Sequence, residues 1–514
     1  MILVLMAAVP LAGALLLLLP PGRFLPGDTA VRRYGVGVSG ATLLVALAAV
    51  AAFDFGATSR MQLEVDRAWA PAIGLRFHLG VDGISLPLVV LTALLTFLCF
   101  VHLTRHPPAG GPARLLTALL LLLEVGLIGT FVALDMVLFF VFFEVVLIPM
   151  YAVIAYWGGP GRRAAAGKFI LYTLLGSGLL LAGMLLVAVN AGTLDLTELA
   201  ARQGAGIARG TQIAAFLLMG LGLAIKAPIW PLHTWLPDAH TEAPTVGSVL
   251  LAGVLLKMGT YGLVRVALPA APGGAEFWAP WLGLLAVAGI VYGALACLAQ
   301  RDLKRMIAYS SVGHMGFVLL GIATLTPVGI NAALFGNIAH GLITGLLFFL
   351  AGGIKDRYGT GDLDALGRGM LGTAPRLAAF LTFAAVASLG LPGLAGFWGE
   401  LLALLGAYRP HPELPRETFV TFMVVAALGA VLTAAYFLRL LVKITHGRPS
   451  PGGPSSGGPS SGAAVPAAAR IAPISPYEYA AWTPLIVLTV LVGLWPKTLL
   501  DVTTAPVRAL LGGG

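Results

Sequence analysis

Along most of this chain polar positions are too sparse to mark one face of a helix. Apolar runs follow one another, broken by short stretches of Gly, Pro and charge. About 20 apolar residues cross a bilayer as a helix, the form that satisfies its own backbone in hydrocarbon. The pattern gives about fourteen spans, centred near residues 10, 42, 93, 122, 145, 177, 219, 252, 288, 315, 340, 388, 430 and 488. The expected fold is an all-α polytopic membrane protein. The first run, Met1 to Leu19, lacks a basic lead-in and a small-residue cleavage site and reads as a retained span. Arg448 to Arg470 differs in kind: RPSPGGPSSGGPSSGAAVPAAAR has the composition of a flexible linker that ties the last span loosely to the rest.

Two of the spans carry helix breakers. Pro228 and Pro231 follow Lys226 in LAIKAPIWPLHTW, and each removes a backbone donor and clashes with the preceding turn, so the seventh span must bend or unwind there. Gly390, Pro392, Gly393 and Gly396 interrupt the twelfth. A separation of five helices starts a second copy on the opposite side of the membrane. Paired interruptions at corresponding positions point to a transport site. The expected organisation is therefore spans 1–3 in residues 1–110, two inverted five-helix repeats in 111–267 and 277–446 with broken seventh and twelfth helices, the linker at 447–472, and the last span in 473–514.

Composition narrows the class further. With 58% hydrophobic and 10% charged residues the chain lies outside the range of soluble domains. Two isolated cysteines, Cys99 and Cys297, build no disulfide framework, zinc site or iron–sulfur cluster. The net charge of +9 sits in short loops rather than one patch, which fits lipid headgroups and topology better than nucleic acid. Loops after odd-numbered spans hold nineteen Lys and Arg, and those after even-numbered spans, counting Arg265 and the C-terminal tail, hold ten. The positive-inside rule makes the odd loops cytoplasmic and puts both termini outside.

What remains is charge within the spans. Lys226, Lys257, Glu124, Glu144 and Glu400 all fall in apolar runs, where each costs about 2.5–3.5 kcal/mol against lipid. They must face protein, water or one another. For any single acid a structural ion pair, or a neutral carboxyl bonded between helices, stands beside the functional reading. Five charges of both signs favour a pathway, with Glu124, which has no break or basic partner nearby in sequence, a secondary member. His314 and His340 suit proton transfer, since imidazole titrates near pH 6.5. Metal binding is disfavoured, because no ligand partner stands at helical spacing.

The runs FFEVVLIPMY, LAIKAPIWPLHTWLPDAHTEAPTVGSVLLAGVLLKMGTYGLVR, DLKRMIAYSSVGHMGF and GLPGLAGFWGE resemble the antiporter-like membrane subunits of proton-pumping respiratory complex I, over roughly residues 80 to 445. Glu400 at the second break resembles the M-type (chain 4) pattern, where L-type, N-type and antiporter relatives usually have Lys. The resemblance implies that Glu144 and Lys226 act as a coupled acid–base pair, Lys257 as a central relay, His314 and His340 as a connecting wire and Glu400 as a terminal site. It also implies a non-redox subunit of NADH:quinone oxidoreductase with no cofactor or metal in this chain. Expected partners are other complex I membrane subunits, especially the L-type and N-type ones, with lipids and protons, in a bacterial cytoplasmic membrane. The alternative is a subunit of a sodium/proton antiporter of the same superfamily.

Overall fold

The structure, a computed structural model, describes residues 1–18, 27–446 and 471–512. The expected linker, through residue 470, lies outside the described residues. Eleven described helices are long and apolar enough to cross a membrane: α2 (Asp28–Ala52), α3 (Leu86–Leu103), α4 (Ala113–Val132), α5 (Met136–Trp157), α6 (Arg162–Ala191), α8 (Thr245–Ala270), α9 (Pro272–Ala299), α10 (Leu303–Ala323), α11 (Pro327–Tyr358), α13 (Arg416–Ile444) and α14 (Pro476–Leu494). The shorter α1 (Ile2–Leu18) and two interrupted helices occupy the remaining expected centres. These are α7a (Arg209–Lys226) with α7b (Trp235–Glu242), and α12a (Pro375–Ser388) with α12b (Ala395–Tyr408).

Loops sort by parity. One large cleft gathers the segments after α3, α5, α7b, α9 and α11 with the start of α14. Another gathers those after α6, α8, α10 and α12b with the C-terminal residues Arg508 and Leu511. Successive helices therefore run in alternating directions.

The halves share a stitch. Asp135 caps α5 and bridges to Asp195, with Met136 N–H on Leu194 O and Leu196 N–H on Leu134 O, each 2.8 Å. Asp302 caps α10 and bridges to Asp362 in the same way, through Leu303 to Gly361 and Leu363 to Arg301. Every residue of the second set follows its counterpart by the same number of positions, and the two stitches lie on opposite faces. Close approaches repeat as well. A Cβ on Gly126 would lie 3.1 Å from Phe142 O, and one on Gly293 would lie 3.1 Å from Tyr309 O, again at that same offset.

Three features were absent from the helical reading. An antiparallel hairpin, β1 (Gln62–Ala70) and β2 (Leu75–Val81), turns at Gly74, whose φ of 71° favours glycine, and pairs Val65 with Leu79. It bonds to the α4–α5 loop, through Leu134 N–H to His78 O. Beyond α14 a separate amphipathic helix, α15 (Lys497–Leu510), packs on the even-loop face, where Thr503 donates to Asn331 Oδ1 at 2.6 Å. The last span, finally, is firmly held rather than loosely tied. Arg357 at the end of α11 uses its guanidinium on both oxygens of Glu478 (2.7 Å each) and on the carbonyls of Gly353, Ala472 and Pro473. That engages all five N–H donors an arginine has.

Candidate functional site

The first element of the site is a kink that the sequence did not announce as one. Pro149 in α5 has no N–H for the Val145 carbonyl and its ring crowds it, and regular helix lapses at Val146, whose N–H turns to Glu144 O. Glu144 sits at that lapse. Its Oε1 accepts a short hydrogen bond from Ser177 on α6.

Lys226 is the last residue of α7a, and the chain leaves the helix at Ala227 as the two prolines require. Trp235 of α7b repairs part of the loss by donating Nε1–H to Ile225 O at 3.0 Å. The Lys226 ammonium, 2% exposed, donates to Phe143 O at 3.1 Å and lies 3.5 Å from the centroid of the Phe143 ring. A desolvated cation on an aromatic face gains about 2 kcal/mol. Glu144 and Lys226, expected as a pair, thus meet neighbouring groups: the lysine takes residue 143 and the carboxylate takes Ser177.

Lys257 stands in α8 directly after a π-helical turn, Leu251–Leu255. Such wide turns free carbonyls from the regular ladder and recur at functional sites. Here Lys257 Nζ donates to Ala252 O and meets His340 Nδ1 at 2.6 Å. Glycines allow the approach. A Cβ on Gly341 would lie 2.9 Å from Gly253 O, and one on Gly259 would lie 2.6 Å from Leu223 O of α7a.

From His340 the site continues without a gap in titratable groups. The rings of His340 and His314 meet edge to face, 5.9 Å between centroids. His314 Nδ1 is 3.2 Å from Glu400 Oε1, and its Nε2 is 2.9 Å from Ser388 Oγ, the last residue of α12a. The second break is built around this acid. Gly390 has φ of 73°, a conformation strained for any other residue, and a Cβ there would lie 2.8 Å from Glu400 Oε2, so a side chain would also displace the acid. His314, His340, Ser388, Thr344 and Glu400 line a cavity of about 30 Å³, enough for one or two waters.

Glu124 stands apart. It is fully buried in α4, and neither carboxylate oxygen has a hydrogen-bond partner. Sequence reading also missed several residues. Ser177 and Ser388 are hydroxyls in apolar runs without any marker. Thr260 donates to Asn337 Oδ1 at 3.0 Å, tying α8 to α11 beside Lys257. His240 in α7b is buried with both ring nitrogens unpartnered, stacked on Phe348 at 4.6 Å; its place in a broken helix was the available signal. Arg265, counted above as a loop residue, is in fact buried inside α8. It pairs with Asp82, which also accepts the Ile84 and Ser85 amides in the turn just ahead of α3, and sits on a second π-helical turn, Leu263–Ala267.

A profile of the family described as "NADH:quinone oxidoreductase/Mrp antiporter, TM" matches residues 133–433, the stretch holding Glu144, both lysines, both histidines and Glu400. The chain belongs to this family. Among its relatives within the NADH:quinone oxidoreductase/Mrp antiporter family, subunit M of NADH-quinone oxidoreductase from Rhodobacter capsulatus is 40% identical over 91% of this chain and 88% of that protein. Chain 4 of the NAD(P)H-quinone oxidoreductase of a Synechococcus strain is 41% identical over 88% and 83%. The similarity is thus to the subunit M, or chain 4, branch. Among solved structures, respiratory complex I from Thermus thermophilus holds a chain that superposes with a TM-score of 0.84 at 31% identity, covering 100% of both. The Mrp complex of a Dietzia strain holds one with a TM-score of 0.82 at 25% identity, covering 99% of this chain and 97% of that one.

Proposed function

We propose that this chain is the proton-translocating membrane subunit of a respiratory NADH:quinone oxidoreductase, holding no redox group or metal itself, and that its protons pass along Lys226, Lys257, His340, His314 and Glu400. The observation that carries the reading is the continuous run Lys257–His340–His314–Glu400, buried at Lys257 and His340 and half-buried at His314 and Glu400, which spans α8, α11, α10 and α12b and ends at one helix break while α8 abuts the other. The bond between Lys257 Nζ and His340 Nδ1 joins two basic nitrogens and holds one proton. When the proton is on the lysine, neutral His340 carries its own on Nε2, a nitrogen with no protein partner. A proton accepted at Nδ1 can then leave from Nε2 across the small cavity to His314 and Glu400, through one or two waters. Moving one charge against 100 mV costs about 2.3 kcal/mol, so charge must be driven along the row. Glu144, beside Phe143 and Ser177, is the group whose charge would gate Lys226, and Glu124 is a secondary acid.

The recurring stitches support reading 111–267 and 277–446 as inverted repeats, and the basic loops support a cytoplasmic odd-loop face with both termini outside. The complex I and Mrp neighbours support assembly in a multi-subunit membrane complex; antiporter-like partners of L and N type and a bacterial cytoplasmic membrane are part of the same proposal. The test is vesicles carrying the assembled complex with Lys257→Ala, assayed for proton uptake and NADH oxidation together. Loss of pumping with slowed oxidation is expected; full pumping overturns the route. Because the Mrp chain superposes almost as well, sodium exchange belongs in the same assay. Unchanged oxidation with altered sodium exchange would favour an antiporter subunit.

A further inference from the structure

A second cleft, of about 460 Å³, opens on the odd-loop face between the start of α2, the end of α3 and the start of α14. That volume is within the range of ligand pockets, about 300–1,000 Å³. Three arginines rim it: Arg32 and Arg33 from α2, and Arg105 from the turn after α3. Among the described residues none of the three forms an ion pair, not even with Asp28, which opens α2 beside Thr29 of the cleft, and two further acids on the same face are engaged elsewhere. Glu478 is clamped by Arg357, and Asp356 lies 3.1 Å from His106. Arg32 reaches only Thr29 Oγ1, at 3.4 Å, and its Nε is buried without a partner. Arg105 is propped over the Tyr477 ring, 5.1 Å from its centroid, and so held at the rim. Three unneutralised guanidiniums around one cleft repel one another unless an anion fills it. Donors of this kind take phosphate oxygens in a planar fork.

Depth identifies the source of the phosphate. Below the basic rim the walls are apolar, one turn farther in: Val36 on α2 and Val101 on α3. α2 and α3 are both membrane spans, and the cleft lies at the ends where they leave the apolar layer. Charge at the headgroup level over an apolar floor is the outline of a phospholipid. We infer that the cleft between α2, α3 and α14 binds the phosphate headgroup of an anionic phospholipid, with an acyl chain lying against Val36 and Val101. A bound lipid there would join the start of α14 to the N-terminal helices α2 and α3.

The test uses the assembled complex in detergent with phosphatidylglycerol bearing a photoactivatable acyl chain, the label mapped to the peptides containing Val36, Val101 and Tyr477. Label at these peptides should be displaced by unlabelled phosphatidylglycerol, and not by phosphatidylcholine or millimolar inorganic phosphate. Each arginine at the surface of an anionic lipid is worth roughly fivefold, so Arg33→Gln should weaken labelling about fivefold and the triple Gln variant on the order of a hundredfold. The triple Lys variant should keep most of it. If the triple Gln variant does not assemble, Arg33→Gln decides, since Arg33 is exposed and its loss leaves the fold intact. Unchanged labelling in the Gln variants, or equal displacement by phosphatidylcholine, overturns the site. Displacement by inorganic phosphate overturns the lipid as its occupant.

Discussion

Gly259→Ala removes no titratable group, yet it should uncouple the proposed proton relay. A Cβ at this position would stand 2.6 Å from Leu223 O and 2.7 Å from Ala227 N, the two atoms of the hydrogen bond that closes the last turn of α7a around Lys226. Ordinary contact begins at 3.4 Å, so α8 must retreat by roughly 0.8 Å or that last turn must open. Overpacking of this kind costs about 1–3 kcal/mol, and Ala in a helix returns about 0.5–1. The net loss of stability is small enough for the complex to assemble. A misplacement near 1 Å between reacting groups, in contrast, can cost on the order of a hundredfold in rate. Proton uptake per NADH oxidised, measured in vesicles, should fall at least tenfold while the thermal midpoint moves by a few degrees. Gly220→Ala on α7a itself is the control, because its Cβ would meet only the Phe216 ring, at 3.6 Å. Wild-type coupling in Gly259→Ala would refute the claim that this contact sets the distance between the two lysines.

Two further perturbations test the frame of the fold. Arg357→Ala leaves Glu478, 1% exposed, as a buried charge without its partner, a change that costs about 3–5 kcal/mol, whereas Arg357→Met with Glu478→Met should recover most of it; the thermal midpoint of the purified complex reads both, and equal stability of all three would dissolve the clamp. On the hairpin, the hydrogen bond from His78 to Asp195, at 2.7 Å, raises the imidazole above 6.5, and although burial pushes the Asp195 carboxyl up, the bonds from His78, Thr197 and the Glu198 amide outweigh it and leave it at about 2. The raised imidazole adds stability that is fully present below pH 6.5 and fades as pH climbs through its folded value. The lowered carboxyl adds stability present above 3.8 and lost as pH falls toward 2. Hydrogen exchange of residues 62–81 should therefore quicken in the wild type as pH rises from 6.5 through the raised folded value of His78, and be pH-independent over the same range in His78→Ala once intrinsic rates are removed; identical profiles would refute the coupling.

The breaks were legible because proline and glycine act on the backbone of their own segment. Lys226 before Pro228, and Gly390 before Glu400, declare an interruption wherever the helix happens to pack. The proximity of His314 to Glu400 was not legible. It depends on α12b packing against α11, where Gly399 and Gly336 approach closely, so that Glu400 reaches His314 on the neighbouring α10, a long-range fact with no local signature. The same holds for Ser177, one polar residue among many in α6, chosen as the partner of Glu144 by the kink at Pro149. Arg265 misled because a charge near a helix end looks like a loop residue when its counter-charge, Asp82, is remote in sequence. The hairpin was hidden by its irregular first strand. Leu75–Val81 does alternate over seven residues, but its partner Gln62–Ala70 shifts register twice, which blurs the period of the first strand and leaves the pair resembling a polar stretch between two spans.

The two π-helical turns of α8 lie on either side of Lys257, at Leu251–Leu255 and Leu263–Ala267. Each residue of a regular helix rotates the next by about 100°, so in an unbroken α8 the bearing of Lys257 would be fixed by where the helix begins and ends. A wide turn holds a surplus residue that resets this count. With one on each side, the segment Leu256–Gly262 has a compass heading of its own, independent of the Thr245 end against α11 and of the Arg265 end against Asp82. Deleting the surplus residue of the first wide turn would close it to a regular turn, leaving the bearing of Lys257 nearly unchanged but returning the Ala252 carbonyl to the helix ladder, so that the lysine would lose that acceptor.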